Sequence, residues 1–200
     1  MPGRHYLELL EFANGQYGYV TPEDARSRGV DPAQLRLMHH RGVLEWVAHG
    51  LYRFPVVPSS PLDQYMEAVL WSRTPAQLSH ETALDLHDLC DVNPAQIHLT
   101  VPAAYRLRRH IPAAYRLHRR DLSAGDITRH EGVPIVTVRR AILDGIEAGL
   151  GGHLIDQALE TTRRRGLLSR SELDVLDGAR HHADRGPYSG RPRSRASAST

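Results

Sequence analysis

The sequence contains no lysine, so its 25 cationic side chains other than histidine are all arginines. Without lysine the chain cannot supply a Walker A lysine, a Schiff-base lysine or the lysine of the common restriction-type nuclease core. Its single cysteine, Cys90, has no partner for an internal disulfide and is too few for an ordinary structural zinc site. These absences exclude several enzyme classes and favour a protein of the reducing cytoplasm.

Long hydrophobic runs are also missing. No stretch of about 18 apolar residues occurs, and the N-terminus lacks a basic segment followed by an apolar one. We therefore expect a chain that neither spans a membrane nor is secreted. With 40% hydrophobic and 24% charged residues, most of it should fold into globular structure.

Shifts in composition divide the chain into three parts. The segment FPVVPSSP, residues 54–61, holds three prolines and is typical of a linker. Residues 184–200 are rich in glycine, proline, serine and arginine, which predicts a disordered basic tail. The expected organisation is one domain over residues 1–56, a second over 62–183, and the tail.

The first segment has the order of a winged helix-turn-helix. Helical spacing of apolar residues covers 5–14, and the sequence TPED at Thr21 and DPAQ at Asp31 each predict the start of a further helix. Two short β-rich runs, VLEWVA and LYRF, follow on either side of His49-Gly50 and predict a hairpin. In such a fold the third helix contacts DNA and the hairpin is the wing.

The third helix and the wing supply the candidate DNA-binding residues. If Leu35 and Met38 point inward, the helix turns its basic side chains outward. The candidates are Arg36, His40 and Arg41 on the helix, Gln34 near its edge, His49 at the wing tip and Arg53 at the wing base. The alternative is that these charges form an ordinary solvated surface.

The second segment reads as a mixed α+β domain dominated by helices. Helices are expected after Pro61, from a cap at Ser79, and over the last third of the segment. IHLTV at residues 97–101 and VPIVTV at 133–138 are typical of strands. Together with the first segment, this predicts an α+β protein.

Two nearly identical decapeptides, VPAAYRLRRH and IPAAYRLHRR, occupy residues 101–120. Pro112 excludes one continuous helix, so we expect the first copy to form a connection and the second a strand. Residues 101–140 hold nine arginines against three acids. We expect Arg108, Arg109, Arg119 and Arg120 to form a second basic face, which would suit a polyanion or an acidic protein. A solvated strand edge is the alternative.

The stretch GYVTPEDARSRGVDPAQLRLMHHRGVLEWVAHGLYRFP resembles the N-terminal winged helix of AbiEi-like antitoxins, the regulatory half of AbiE-type (type IV) toxin–antitoxin systems. SHETALDLHDL and GVPIVTVRRAILDGI look like the C-terminal domain of many members. The resemblance implies an autorepressor that binds double-stranded DNA at inverted repeats in its own promoter. It also implies action, direct or functional, against a nucleotidyltransferase-like toxin. Leu37 stands where the pattern leads us to expect a basic residue.

No catalytic, metal or cofactor site is expected from the sequence. His80-Glu81 and His87-Asp88 are adjacent pairs, and neighbouring side chains on a helix point apart. His80 and His87 could share a face, but only Asp88 or Cys90 would be near enough as a third metal ligand. No G-x-S-x-G elbow occurs. The alternative to an antitoxin is a non-catalytic protein-interaction module, or a solitary winged-helix regulator without a toxin partner.

Overall fold

The computed structural model describes residues 3–107 and 109–184, which form a mixed α+β protein with two sheets in that part of the chain. Of the predicted tail, residues 185–200 lie outside the described residues. The N-terminal elements are helix α1 (Arg4–Asn14), strand β1 (Tyr19–Val20), helices α2 (Pro22–Ser27) and α3 (Ala33–His40), and strands β2 (Glu45–Ala48) and β3 (Leu51–Arg53). Their three strands form an antiparallel sheet in the order β1-β3-β2.

The starts of α2 and α3 follow from local hydrogen bonds. At α2, Thr21 and Asp24 form a capping box: the Asp24 amide donates to the Thr21 hydroxyl at 3.2 Å, and the Thr21 amide donates to the Asp24 carboxylate at 2.8 Å. Before α3, the carboxylate of Asp31 accepts from the amide of Ala33 at 2.8 Å. These bonds satisfy backbone donors that the first helical turn leaves unpaired. The sequence signals placed both helix starts to within two residues.

A small apolar core holds the N-terminal elements together. Leu9 from α1, Leu35 from α3, and Leu44 and Phe54 beside the hairpin are almost fully buried in it. Phe54 meets the ring of Tyr6 edge-on, with 5.6 Å between the ring centroids. Because α3 uses Leu35 to contact this core, its opposite face is left to solvent.

The remaining elements build a five-stranded mixed sheet with helices packed on it. They are α4 (Asp63–Trp71), β4 (Gln77–Leu78), α5 (His80–Leu86), β5 (Ile97–Val101), β6 (Tyr115–Arg119), β7 (Ile127–His130), β8 (Val133–Val136), α6 (Val138–Glu147), α7 (Gly152–Arg165) and α8 (Arg170–Asp184). The strand order is β6-β5-β4-β8-β7. Strands β5/β6 and β4/β8 pair in parallel, whereas β4/β5 and β7/β8 are antiparallel. Among the described helices, none is long and apolar enough to cross a bilayer.

The second decapeptide supplies β6, and the first forms the connection that leads to it. Residues 102–114 carry no regular element in their described part, and Tyr105 of this connection donates its hydroxyl proton to the carbonyl of Ser72. In β6, Tyr115 and Leu117 pack against the core, as the strand alternation predicts. The duplication in sequence is matched in structure only by one turn, in which the amides of Tyr105 and Tyr115 donate to the carbonyls of Pro102 and Pro112, each at 2.9 Å.

The N-terminal elements and the rest of the chain share a boundary with both apolar and polar contacts. Tyr19 and Leu51 are buried in the larger core together with residues such as Leu78 and Ile135. The Tyr19 hydroxyl donates to Glu67 of α4 at 3.0 Å, and burial raises the pKa of this phenol, so it is a donor at neutral pH. The Tyr17 hydroxyl donates to the Glu131 carbonyl at 2.6 Å.

A partly buried ion pair reinforces the boundary. Arg53 donates to Asp63 at 3.1 Å, and the two side chains are only 11% and 17% exposed.

Replacing Asp63 with alanine leaves the largely buried guanidinium of Arg53 without its counter-ion. We therefore expect Asp63→Ala to lower the free energy of unfolding by about 1–3 kcal/mol. Urea denaturation of the full chain measures this. Glu23→Ala removes an exposed partner of Arg26 and should change the stability by less than about 1 kcal/mol. Equal effects of the two substitutions would contradict the assignment.

Candidate functional site

Helix α3 and its C-cap residue each present an arginine to solvent. Arg36 and Arg41 are exposed, and neither side chain forms a hydrogen bond or an ion pair within residues 3–107 and 109–184. Most other arginines near the N-terminal core are engaged: Arg26 pairs with Glu23, and Arg28 lies over the ring of Phe12 at 3.3 Å. The positive charge that is free to meet a partner on this side is therefore concentrated on α3.

The other helix candidates lie around these arginines. His40 is exposed on the same side of α3, and Leu37 is exposed to 39% between the two arginines in sequence. Gln34 is half-buried at the start of the helix. His39, by contrast, faces the sheet, where its Nδ1 lies 3.0 Å from the Leu44 carbonyl oxygen. The outward face of α3 thus combines cationic, polar and apolar groups.

The hairpin turn adds further polar and aromatic side chains. His49 is exposed at the turn, where Gly50 takes the left-handed conformation with φ of 73°. The guanidinium of Arg73, which follows α4, lies beside this turn, 3.6 Å from the place of a β carbon on Gly50. Arg73 is exposed and has no ion pair in the described part of the chain. The sequence gives no sign that Arg73 lies beside the hairpin, because their proximity depends on the packing of the two parts of the chain.

Trp46 on β2 is a second residue that the sequence analysis missed. Its side chain is 58% exposed, on the strand that opens the hairpin and opposite Tyr52 in the register. A large exposed aromatic residue next to a basic surface is available for stacking or for an apolar contact. Alternation along the strand could not have revealed it, because Leu44 two positions earlier is buried, whereas Glu45 and Trp46 are adjacent and both exposed.

Arg53, predicted at the base of the wing, does not belong to this exposed surface. Its guanidinium turns away from solvent to contact the carbonyl oxygen of Val57 at 3.0 Å and the carboxylate of Asp63 at 3.1 Å. The expectation that Arg53 is a free cation at the wing is wrong. An acidic residue that lies just beyond the linker neutralises it.

The described arginines of the expected second basic face each contact another part of the chain. Arg109 lies over the ring of Trp71 at 4.3 Å and donates to the Trp71 carbonyl. Arg119 donates to the Tyr105 carbonyl at 3.2 Å, whereas Arg120 pairs with Glu147 of α6. Successive residues at the end of β6 point to opposite faces of the sheet, which separates Arg119 from Arg120. Arg108 lies outside the described residues.

Three histidines meet on the face of the sheet that α5 and α6 cover. His80 begins α5, His98 lies on β5 and His118 on β6, and one ring nitrogen from each lies within 4.8 Å of the others. The rings of His80 and His118 stack, with 3.5 Å between centroids and 16° between planes. Among the described residues, this is the one group of three or more such side chains that could hold a metal ion.

Burial keeps these imidazoles neutral. Together with the positive charge of neighbouring histidines and arginines, it lowers the pKa of His80 to about 3 and that of His118 to about 4. Burial also lowers the pKa of His98. A neutral imidazole has a free lone pair, which is the form in which histidine binds a metal.

His87, which the sequence suggested as a neighbour of His80, is not part of the cluster. It follows the last residue of α5, and its Nε2 lies 2.8 Å from the Val136 carbonyl oxygen. Ser79, expected to cap the helix, makes no side-chain cap; its hydroxyl instead accepts from Thr100 at 2.8 Å and contacts Nδ1 of His80 at 2.9 Å. The expectation of no metal site rested on Asp88 and Cys90 as third ligands and did not include His98 or His118.

An exposed helix with unpaired arginines beside a β-hairpin is an arrangement typical of DNA-binding proteins. Residues 8–55 match the family model described as "Transcriptional regulator, AbiEi antitoxin". The resemblance to AbiEi-like antitoxins is thereby confirmed for the segment that holds α3 and the hairpin.

The whole chain is similar in fold to a larger protein of known structure. The crystal structure of the RV2827C protein from Mycobacterium tuberculosis superimposes with a TM-score of 0.54 at 16% sequence identity, over 92% of this chain and 75% of that one. At this identity the likeness concerns the fold alone. Comparison with curated proteins gave no match.

The different exposure of the two tryptophans can be checked in solution. Trp46 is 58% exposed and Trp71 7%, so a polar quencher such as acrylamide should reach mainly Trp46. We expect Trp46→Phe to remove most of the quenchable emission and to leave a weakly quenched, blue-shifted signal. Trp71→Phe is the matched control and should leave a strongly quenched signal. A strongly quenched signal that remains in Trp46→Phe and is lost in Trp71→Phe would contradict the exposure of Trp46 on β2.

Proposed function

We propose that residues 1–56 form a winged helix-turn-helix domain that binds double-stranded DNA at the protein's own promoter and represses it. The observation that carries the proposal is the outward face of α3 and its C-cap, where the side chains of Arg36 and Arg41 are exposed without a partner among residues 3–107 and 109–184. An arginine with no counter-ion in its own chain can neutralise a phosphate or contact a guanine without first breaking an ion pair. The match of residues 8–55 to a family of transcriptional regulators supports the same function.

The roles of the other residues follow from their positions. His40 lies with the arginines at the major groove, and Gln34 lies at the edge of the contact. Leu37 offers an apolar contact of the kind that a thymine methyl group accepts. His49 and Arg73 lie beside the hairpin turn and suit contacts with the phosphate backbone. Arg53 has no part in the interface, because its charge is already paired with Asp63.

The two arginines of α3 are expected to be distinguishable by titration. A residue that contacts a guanine contributes about 1–3 kcal/mol of discrimination, whereas a phosphate contact weakens all sequences alike and lowers the salt slope by about one. Arg36→Ala and Arg41→Ala should each weaken binding to the upstream region, measured by gel-shift titration against promoter and scrambled DNA at several salt concentrations. Arg164→Ala, which removes an exposed arginine from α7, is the control and should bind both DNAs like the unaltered chain.

Unchanged affinity of both α3 variants for both DNAs would overturn the assignment of α3. If only the salt slope changes, the two arginines are phosphate contacts and the base preference resides elsewhere on the helix.

Arg73 provides a test of the wing. Because it lies beside the hairpin turn although it belongs to the second part of the chain, we expect Arg73→Ala to weaken binding to promoter and scrambled DNA equally. The salt slope should fall by about one phosphate contact. Arg164→Ala, which removes an exposed arginine from α7, is the control and should leave affinity and salt slope unchanged. A loss of specificity without a change in salt slope would contradict the assignment of Arg73 as a phosphate contact.

We further propose that residues 62–183 form a second domain, and that the chain acts as an antitoxin against a nucleotidyltransferase-like toxin, by contact or functionally. The support is the antitoxin family matched by the N-terminal segment, together with a larger core to which most of the buried residues are contributed by the rest of the chain. The protein would act in the cytoplasm, beside its promoter and its toxin.

Repression and toxin neutralisation are expected to separate. The double variant Arg36→Ala/Arg41→Ala should lose repression of a promoter reporter, because its changes are confined to the DNA-binding face. Expressed from an independent promoter, it should still rescue growth arrested by the proposed nucleotidyltransferase-like toxin. Rescue that falls together with repression would contradict a separate antitoxic domain.

The exposure of Leu37 and Trp46 favours a second candidate function, a non-catalytic protein-interaction module. A solitary regulator without a toxin partner is the other alternative. Footprinting of the upstream region with purified protein at near-physiological salt distinguishes a DNA-binding regulator from an interaction module. A protected inverted repeat supports a regulator, and absence of any protection supports the interaction module.

A further inference from the structure

We propose that His80, His98 and His118 bind a single transition-metal ion of the Zn²⁺ type, at a site between α5 and the parallel strands β5 and β6. The site is independent of the DNA-binding face. Its three ligands come from three different elements, so the ion would connect the start of α5 to the edge of the sheet.

The strand register brings two of the ligands together. Strands β5 and β6 pair in parallel with His98 opposite Arg116 and Thr100 opposite His118, so both histidines project from the same face two positions apart. His80 reaches them from above with a backbone φ of 53°, a left-handed conformation that residues other than glycine rarely adopt. Strain of this kind is commonly found where a side chain must be held in one direction for function.

The spacing of the nitrogens suits a small ion after a modest adjustment. Nitrogens bound to Zn²⁺ at 2.0–2.1 Å in a tetrahedral arrangement are about 3.4 Å apart. The three candidate nitrogens lie within 4.8 Å of one another. Rotation of the imidazole rings would close this gap, and it would also separate the rings of His80 and His118 from their close stack.

Unpartnered nitrogens point to a ligand for the cluster. Nδ1 of His98 and Nε2 of His118 are buried and have no hydrogen-bond partner among the described residues. Buried polar atoms are nearly always paired, and each exception calls for a physical explanation. A metal ion bound by both lone pairs provides one.

Groups around His80 resemble the outer shell of a metal site. Its Nδ1 lies 2.9 Å from the Ser79 hydroxyl and 3.8 Å from the carboxylate of Asp144. Asp144 is itself held by Arg140, whose Nε donates to it at 2.9 Å. A hydroxyl or carboxylate on the second ring nitrogen fixes the tautomer of a metal-binding histidine and directs its other nitrogen to the ion. Ser79 and Asp144 are therefore positioning residues for His80.

The charges near the cluster are compatible with a cation. Arg120 and Arg140 are close, but Arg120 pairs with Glu147, and Arg140 pairs with Asp144 and Glu147. Because these guanidinium groups are already bound to carboxylates, they do not offer a free site for an anion. The three neutral imidazoles contribute lone pairs, and borderline ions such as Zn²⁺ prefer imidazole nitrogen. With three protein ligands, water would complete the coordination.

Zinc titration of the full chain tests the proposal. Protein without an affinity tag is stripped with a chelator, freed of it, and titrated with Zn²⁺ by calorimetry. We expect one ion per chain. At a free Zn²⁺ concentration about 100 times the dissociation constant, the melting midpoint should rise by roughly 5–10 °C. Co²⁺ should bind at the same site with the intense visible absorption of a tetrahedral complex.

Two variants separate this site from adventitious binding. His118→Asn changes a half-buried residue on the edge strand β6 and should weaken Zn²⁺ binding by roughly 100-fold or more, since even outer-shell changes cost about 10–100-fold. His181→Asn/His182→Asn removes an exposed adjacent pair from α8 and should bind like the unaltered chain. The proposal is overturned if the unaltered chain binds no Zn²⁺, or if binding follows the α8 pair rather than His118. Should His118→Asn fail to fold, a Co²⁺ spectrum of the unaltered chain typical of octahedral oxygen ligands would overturn it equally.

Discussion

Strand β6 is an edge strand, and its parallel pairing with β5 runs over five residues without a shift in register. This pairing determines which face of the sheet each side chain of residues 115–119 occupies. Tyr115 and Leu117 are directed to the core, and the residues between them to the opposite face. A shift of one residue would exchange the two sets, placing His118 in the apolar core and Leu117 among the histidines. The proposed metal site, the separation of Arg119 from Arg120 and the ion pair of Arg120 with Glu147 all depend on this register.

The contact between the N-terminal elements and the rest of the chain has a comparable influence on the proposed DNA-binding face. Arg53 is drawn into the boundary by Asp63, while Arg73 is brought to the hairpin turn from the second part of the chain. One arginine is thus removed from the predicted interface and another is added. The net charge beside the hairpin changes little, but the residue that supplies it comes from beyond the linker. A fragment ending at the linker would lack that contribution.

Local signals in the sequence accounted for much of the fold. Thr21 and Asp24, and Asp31 before α3, mark helix starts because capping bonds involve residues only two or three positions apart. Exposure of Arg36, His40 and Arg41 followed from the period of the helix once Leu35 was assigned to the core.

Features that depend on distant partners could not be predicted in the same way. The two-residue strand β4 exists because it lies between β5 and β8, and nothing in its own sequence requires it. The same holds for Arg53, whose partner Asp63 was assigned to another domain, and for His98 and His118, which meet His80 only through the order of the strands. Charge and periodicity describe a residue's own neighbourhood, whereas these contacts arise from the topology of the whole chain.

The hydrogen bond between Tyr17 and the carbonyl of Glu131 joins residues 114 positions apart, and Tyr19 and Leu51 belong to a core whose other buried members begin at Met66. Residues 9–54 contain a complete small core of their own. During synthesis the N-terminal unit therefore has the contacts to fold first, as domains generally do. Tyr19 and Leu51 lack their partners in the larger core until residues from Met66 onward have left the ribosome. The nascent chain thus carries a temporary apolar surface that the finished protein closes.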